Sequence, residues 1–414
     1  VSAELISILV LVVVFLIATT RSINMGALAF AAAFGVGELV ADMDADGIFA
    51  GFPGDLFVVL VGVTYLFAIA RANGTTDWLV HAAIRLVRGR IALIPWVMFV
   101  ITCALTAIGA VSPAAVAIVA PIALSFAAQH GISPLLMGGM VVHGAQGGGF
   151  SPISIYGSIV NGIVEREQLP GNEVFLFLAS LVVNLVIAGI LFVLLGGLRL
   201  HGQDTAATEE SGDAARLTPA RTATLVALVA LVVAVLAFDL DVGLCAITLA
   251  VLLSACWPED SRLAVGAIAW PTVLLICGVL TYVGVLEEMG TIAWAGERVG
   301  DIGVPLLAAV LLCYIGALIS AFASSVGIMG ALIPLAVPFL AQGEIGAVGM
   351  VAALAVSATV VDVSPFSTNG ALVLAAATDV DRDRFFRQLM VYGGIVVAAV
   401  PAAVWLVLVA PGWG

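Results

Sequence analysis

Apolar residues run along this chain in blocks of about 20, the length a helix needs to cross a ~30 Å hydrocarbon core. Residues 5–20, 174–198, 222–238 and 388–411 are the clearest blocks, and none contains a charged residue. The pattern predicts an all-α polytopic membrane protein. Two of the blocks are interrupted in mid-span by "GGGFSPISIYG" (147–157) and "VDVSPFSTNG" (361–370), which share Ser-Pro-x-Ser-x-x-Gly. Proline removes a backbone donor and clashes with the preceding turn, whereas glycine permits unusual dihedrals. Broken helices are therefore expected at about 133–166 and 345–378. Residues 91–129 are interrupted at "GAVSP" (109–113), and residues 303–342 at the corresponding Ser324-Ser325. Both read as re-entrant hairpins. Residues 77–90 alternate apolar positions with arginines and read as an amphipathic helix in the interface.

The chain also matches itself. "PIALSFAAQ" (121–129) is answered by "PLAVPFLAQ" (334–342), and the two Ser-Pro-x-Ser-x-x-Gly motifs (151–157 and 364–370) are separated by the same offset. "GVTYLF" (62–67) answers "GVLTYVG" (278–284) with slight slippage. Matches in one order at a shared offset indicate a structural repeat. The polar stretch 199–221, rich in Ala, Thr, Gly and acids, reads as a flexible linker between a first repeat (1–198) and a second (222–414).

Charge then orients the halves. With Arg21 inside, the loop holding Asp42, Asp44 and Asp46 falls outside, and Arg71, Arg85, Arg88 and Arg90 fall inside. Arg199, Arg216 and Arg221 of the linker, and the arginines of 379–387, fall inside as well. This follows the positive-inside rule and makes the repeats inverted. It predicts ten crossings plus two hairpins, with both termini external and the linker cytoplasmic. Inverted repeats with discontinuous helices mark secondary transporters in a cell membrane.

Composition narrows the function. The chain has 414 residues, is 63% hydrophobic and 10% charged, and carries a net charge of −13 with arginine as its only strong base, so no nucleic-acid surface is expected. Its five cysteines are scattered singly and read as small buried hydrophobes. The first apolar block lacks a basic leader and a cleavage site, and reads as a helix of the mature chain. No HExxH motif or metal cluster is present, which argues against a membrane-embedded enzyme, and no cofactor is expected.

Non-helical backbone at membrane depth is tolerated only against protein or a water-filled cavity. The two tips and two breaks would therefore converge on a central site. They bring Ser112, Ser151, Ser154, Ser325, Ser364, Ser367, Thr368 and Asn369 as substrate contacts, with Asn161 and Gln146 as further pocket liners. Helix N-termini there favour an anion. Unwound carbonyls such as that of Gly149, with the hydroxyls of Ser112, Ser324 and Ser325, suit a small hard cation. Asp362 is the single ionisable residue of the second repeat's central span apart from Glu344, which is placed at a helix end. An acid at membrane depth reads as a cation or proton site. His143 is the comparable group in the first repeat. It reads first as a hydrogen-bonded packing residue, with proton coupling beside Asp362 as the alternative.

"HGAQGGGFSPISIYGSIVNG" (143–162) resembles the MatC-type dicarboxylate (malonate) carriers, and the paired hairpins resemble the divalent anion:sodium symporter family of the ion transporter superfamily. That resemblance implies a homodimer whose protomers each move a transport domain against a scaffold, elevator fashion. It implies a small dicarboxylate and sodium bound at hairpin tips and adjacent breaks, onto which Ser112 and Ser325 map. The Asn and Thr that follow serine in the family's tips are replaced here by Pro113-Ala114 and Val326-Gly327. The expected function is sodium-coupled import of a malonate or C4-dicarboxylate. Proton coupling, a cation/proton antiporter and an oxyanion efflux permease are the alternatives on the same scaffold.

Overall fold

A computed structural model describes the chain apart from residues 1, 22, 77, 80–81, 83–89, 201–216, 239, 293, 295–304, 322–324, 341–342, 344, 378–380 and 413–414. Most of the expected interfacial helix 77–90 and of the linker 199–221 lies outside the described residues, as do Ser324 and Glu344.

The described residues form helices and no strand. Helices α1 (Ala3–Thr20), α2 (Met25–Leu39), the short α3 (Ala45–Ala50) and α4 (Gly54–Ala72) lead into a hairpin of α5 (Ile94–Ala107) and α6 (Ser112–His130). The broken pair α7 (Pro134–Gly148) and α8 (Ile155–Arg166) follows, then α9 (Glu173–Leu194). The second half repeats this order. Helices α10 (Pro219–Phe238), α11 (Val242–Cys256), α12 (Pro258–Gly266) and α13 (Trp270–Glu288) precede the hairpin α14 (Pro305–Ser320) and α15 (Ser325–Leu340). The broken pair α16 (Ala347–Val360) and α17 (Thr368–Ala376) and the last helix α18 (Arg382–Val404) complete it.

Local chemistry sets the boundaries. Asn24, Ser133, Asn172, Asp241 and Asp381 each accept a hydrogen bond from a first-turn amide and cap α2, α7, α9, α11 and α18. Gly131, at φ 63°, ends α6 in the left-handed region that favours glycine. The starts of α6 and α15, of α7 and α16, and of α8 and α17 are all separated by one common offset, the one read in the sequence.

The two halves run in opposite directions. Ser7 of α1 bonds Thr291, just past α13, at 3.0 Å, and its carbonyl accepts from Tyr282 at 2.7 Å. Asn24, before α2, donates to the Pro271 carbonyl at the start of α13 at 2.9 Å. Arg71, at the end of α4, lines the same cavity as Pro271. Helix α4 thus ends where its counterpart α13 begins, so the repeats are inverted. Between them the halves exchange partners, α2 packing on α13 and α4 on α11. Glycines set both crossings. A Cβ on Gly26 would strike the Leu274 carbonyl and one on Gly278 the backbone of Gly26. In the other crossing, a Cβ on Gly62 would meet the Gly243 carbonyl at 2.6 Å. Small residues bring backbones together in this way where lipid offers no hydrophobic drive for association.

Burial and charge follow a bilayer. Residues Leu135 to Ser151 are buried throughout, whereas Val182, Val186, Ile190 and Val193 project from α9 exposed. Six helical segments among the described residues are long and apolar enough to span. The chain is an integral membrane protein. Arg21, Arg71, Arg199 and Arg221 sit at one end of the bundle, which we term the basic end. Asp44, Asp55, Glu167, Asp241 and Glu287 sit at the other, where Arg166 donates to the Gly51 carbonyl at 3.0 Å.

Candidate substrate and cation site

Both breaks have the same backbone. In the first, the Ser154 hydroxyl donates to the carbonyls of Gly149 (2.5 Å) and Ser151 (2.7 Å) and accepts from the Gly157 amide (3.1 Å). In the second, Ser367 donates to Asp362 (2.6 Å) and Ser364 (2.7 Å) and accepts from Gly370 (3.4 Å). A Cβ on Gly157 or Gly370 would strike the carbonyl of Ser151 or Ser364. Each part of Ser-Pro-x-Ser-x-x-Gly thereby has a purpose. Proline stops the helix, the second serine caps the next one, and glycine lets the first serine's carbonyl fold over it.

Because Ser154 and Ser367 spend their protons on these carbonyls, neither hydroxyl is a free donor for a substrate. Ser151 likewise donates to the Ala107 carbonyl, fastening the break to the first hairpin. Ser364 accepts from the Phe366 amide at 3.3 Å. None of these four lines the central cavity. Asn161 lies further along α8, its buried amide nitrogen without a hydrogen-bond partner and away from the cavity lining.

The two tips instead meet at the second break. Ser325, first residue of α15, donates to Asp362 Oδ1 at 2.7 Å and accepts from Ser320 at 2.8 Å. Gln146 donates to Asp362 Oδ2 at 2.9 Å. Asn369 donates to Ser112, first residue of α6, at 2.9 Å and to Asp362 Oδ2 at 3.4 Å. Tyr156 faces both Ser112 and the Asp362 carboxylate. The amide oxygens of Gln146 and Asn369 are buried and unpartnered. Buried polar atoms are rarely left so, and these two oxygens with the Asp362 carboxylate make an all-oxygen donor set. An oxygen-only donor set with one negative charge fits a hard monovalent ion.

Asp362 stands at the floor of a cavity of about 600 Å³, with Tyr156, Ser325 and Thr368 beside it. The walls are apolar: Phe67, Leu105, Ala110, Ile118 and Leu275. The cavity reaches the basic end of the bundle, where Arg71 is the single arginine lining it among the described residues. Helices α6, α8, α15 and α17 all begin at this floor. Each N-terminus carries roughly +0.5 charge, so the floor can hold a carboxylate without a lysine or arginine.

His143 is elsewhere. Asn184 donates to the Ser180 carbonyl at 2.9 Å, so its Oδ1 accepts from His143 Nδ1 at 2.8 Å. Nε2 then accepts from the Tyr392 hydroxyl at 2.5 Å. Both ring nitrogens are engaged in this buried network, and His143 is not among the residues lining the cavity. Tyr156 went unnoticed in the sequence. The repeat offset could have found it, since it occupies the position of Asn369.

Residues 1–149 match the family model described as the dicarboxylate carrier protein MatC N-terminus. This bears out the resemblance read from the motif, up to the edge of the first break. The crystal structure of the Alcanivorax borkumensis YdaH transporter, which reports an unusual topology, aligns with a TM-score of 0.60 at 14% identity over 98% of each chain. At that identity the likeness concerns the fold. No curated protein sequence matches the chain.

Proposed function

We propose that this protein is a secondary transporter that carries a small dicarboxylate across the cytoplasmic membrane, coupled to sodium. The observation that carries the reading is the convergence of two hairpin tips and a helix break on one buried carboxylate, Asp362, at the floor of a largely apolar cavity. The family match over residues 1–149 supports a dicarboxylate as cargo. A malonate or C4 dianion suits a floor ringed by helix N-termini and hydroxyls, and apolar walls suit its short carbon backbone.

By the positive-inside rule the basic end faces the cytoplasm, which puts both termini outside and makes this conformation inward-open. The glycine-locked set α2, α4, α11 and α13 forms one wall of the cavity, and the hairpins with their broken helices form the other. Sliding the second group against the first would carry the site across the membrane, an elevator movement. A homodimer joined through the first group accords with this scheme. Sodium is preferred over a proton because two unpaired amide oxygens and a serine hydroxyl surround the carboxylate, where a proton would need only one partner.

The test is uptake of labelled malonate and succinate into proteoliposomes under a sodium gradient alone or a proton gradient alone. Sodium-driven uptake of either acid, lost in Asp362→Asn, is the expected result. Uptake driven by protons without sodium would transfer the coupling role to a proton. No uptake of either acid under any gradient would overturn the dicarboxylate reading.

A further inference from the structure

Helix α4 and its counterpart α13 end in the same kind of turn. "RANGTTDW" (71–78) is answered by "EEMGTIAW" (287–294). Gly74 and Gly290 stand at φ 75° and 72°, and their amides donate to the carbonyls of Arg71 (3.1 Å) and Glu287 (2.9 Å). The Trp78 and Trp294 amides then donate to Gly74 and Gly290, each at 3.0 Å. The backbone is shared, but Glu287 stands in place of Arg71 and Ile292 in place of Thr76. Among the described residues of the first turn, Arg71 and Thr76 are the ones that line the cavity. The turn folds without them in the second repeat, so its fold does not require them.

Asn73 ties the neighbouring polar groups together. It donates to Thr224 at 2.7 Å and accepts from the Thr75 hydroxyl at 2.6 Å, and Arg221 donates to its carbonyl at 3.2 Å. Arg71, by contrast, has no hydrogen-bond or ion-pair partner among the described residues, and the Thr76 hydroxyl is buried without one. Topology alone accounts for an arginine at this end, but not for a buried unpaired hydroxyl on the same turn. From this we infer that Arg71 and Thr76 form a second anion site at the mouth of the cavity, separate from the floor, where a substrate carboxylate is held. The inference rests on the transporter reading above and adds a site to it. A cavity of about 600 Å³ is of the size that encloses a drug-sized molecule, so a C4 dianion at the floor leaves the mouth free. A guanidinium takes a carboxylate through two parallel N–H donors, and a χ1 rotation of Thr76 turns its hydroxyl to the same anion. Arg221, fastened beside Gly74, adds a second positive charge to the turn. Helix α4 belongs to the wall that stays in place in the proposed movement, so the site serves the cytoplasmic side alone. The outer end has no match for it, since Glu287 adds its negative charge to that of Glu167 and Ile292 is apolar. A dianion leaving the floor is thus received on one face of the membrane and not on the other.

The experiment uses the full chain with its native cysteines replaced and Thr272→Cys at the mouth, in inside-out vesicles. Modification rates by anionic and cationic methanethiosulfonate reagents are compared with and without succinate. The anionic reagent should react faster, and Arg71→Gln should lower the ratio of the two rates severalfold, with Arg71→Lys restoring most of it. Succinate should slow modification, and Arg71→Gln or Thr76→Val should raise the half-protecting concentration about tenfold or more, the effect of losing one hydrogen bond to a charged group. Protection that survives Asp362→Asn but not Arg71→Gln would place the anion at the mouth. Protection lost in Asp362→Asn and kept in Arg71→Gln, no protection by any anion, or a rate ratio unmoved by Arg71→Gln would each overturn the site and leave Arg71 as a topological charge. A rate ratio set by Arg71, with protection by sulfate but not by succinate or malonate, would uphold the anion site and count against the dicarboxylate reading alone.

Discussion

Ser154 and Ser367 separate the sequence pattern from the structure most sharply, since the pattern makes both substrate contacts and the structure makes both helix caps. Replacing either with alanine removes one hydroxyl that donates to two carbonyls and accepts from one amide. The consequences differ between the breaks. In the first, Gly149 O still accepts from the Gly157 amide at 3.2 Å and Ser151 O from the Ser154 amide at 3.0 Å, so every group keeps a backbone partner. Ser154→Ala should then cost about 1–2 kcal/mol, the loss of a cap. In the second, Ser364 O keeps the Ser367 amide at 3.0 Å, but the Asp362 carbonyl and the Gly370 amide have no such substitute. Ser367→Ala should cost about 2–4 kcal/mol, a cap plus an unsatisfied buried group. The assay is thermal unfolding in detergent alongside succinate uptake, with threonine variants to restore the hydroxyl. The expected order of stability is wild type, Ser154→Ala, Ser367→Ala, with threonine recovering much of each loss. Unchanged unfolding together with a KM raised tenfold in either alanine variant would refute the capping argument and return the hydroxyl to the substrate.

Two further outcomes follow from the ends of the bundle. With the native cysteines replaced, a cysteine at Ala269 or Thr272, both lining the cavity near its mouth, should react with a membrane-impermeant thiol reagent in inside-out vesicles and not in right-side-out cells; the reverse pattern would invert the orientation. Glu167, just past α8, is pushed up from 4.5 to about 6 by burial and by the negative charge of Glu287, with Arg166 opposing. The folded protein therefore holds this proton more tightly than the unfolded chain and loses stability as pH rises from about 4.5 to about 6. Glu167→Gln should stabilise the protein at pH 8 and make no difference below about pH 4.5, and a gain independent of pH would exclude this origin.

Much of this architecture was legible along the chain because lipid imposes few alternatives. An uncharged apolar block long enough to cross the hydrocarbon must be a helix, and a proline with glycines inside it must break that helix. A segment order that recurs at one fixed offset must repeat the fold. The gathering of arginines at one end of the bundle, Arg166 aside, was equally readable, because charge avoids the hydrocarbon. Asp362 could be named because a carboxylate at membrane depth is costly unless it serves a site, and Ser325 because it stands at a hairpin tip. What remained hidden was how each hydroxyl spends its single proton. Ser151, Ser154 and Ser367 carry the same groups as Ser112 and Ser325, yet they bond carbonyls of their own break or of the neighbouring hairpin, and that depends on small distances set by the folded backbone. Gln146 and Tyr156 reach the Asp362 site from α7 and α8, in the other repeat, and only the packing of one repeat against the other brings them there. His143 reads in the sequence as a hydrogen-bonded packing residue, but its partners Asn184 and Tyr392 come from two other helices and could not be named there. Local sequence decides where a helix breaks, but the partner of each exposed polar atom is chosen by helices that are distant in the chain.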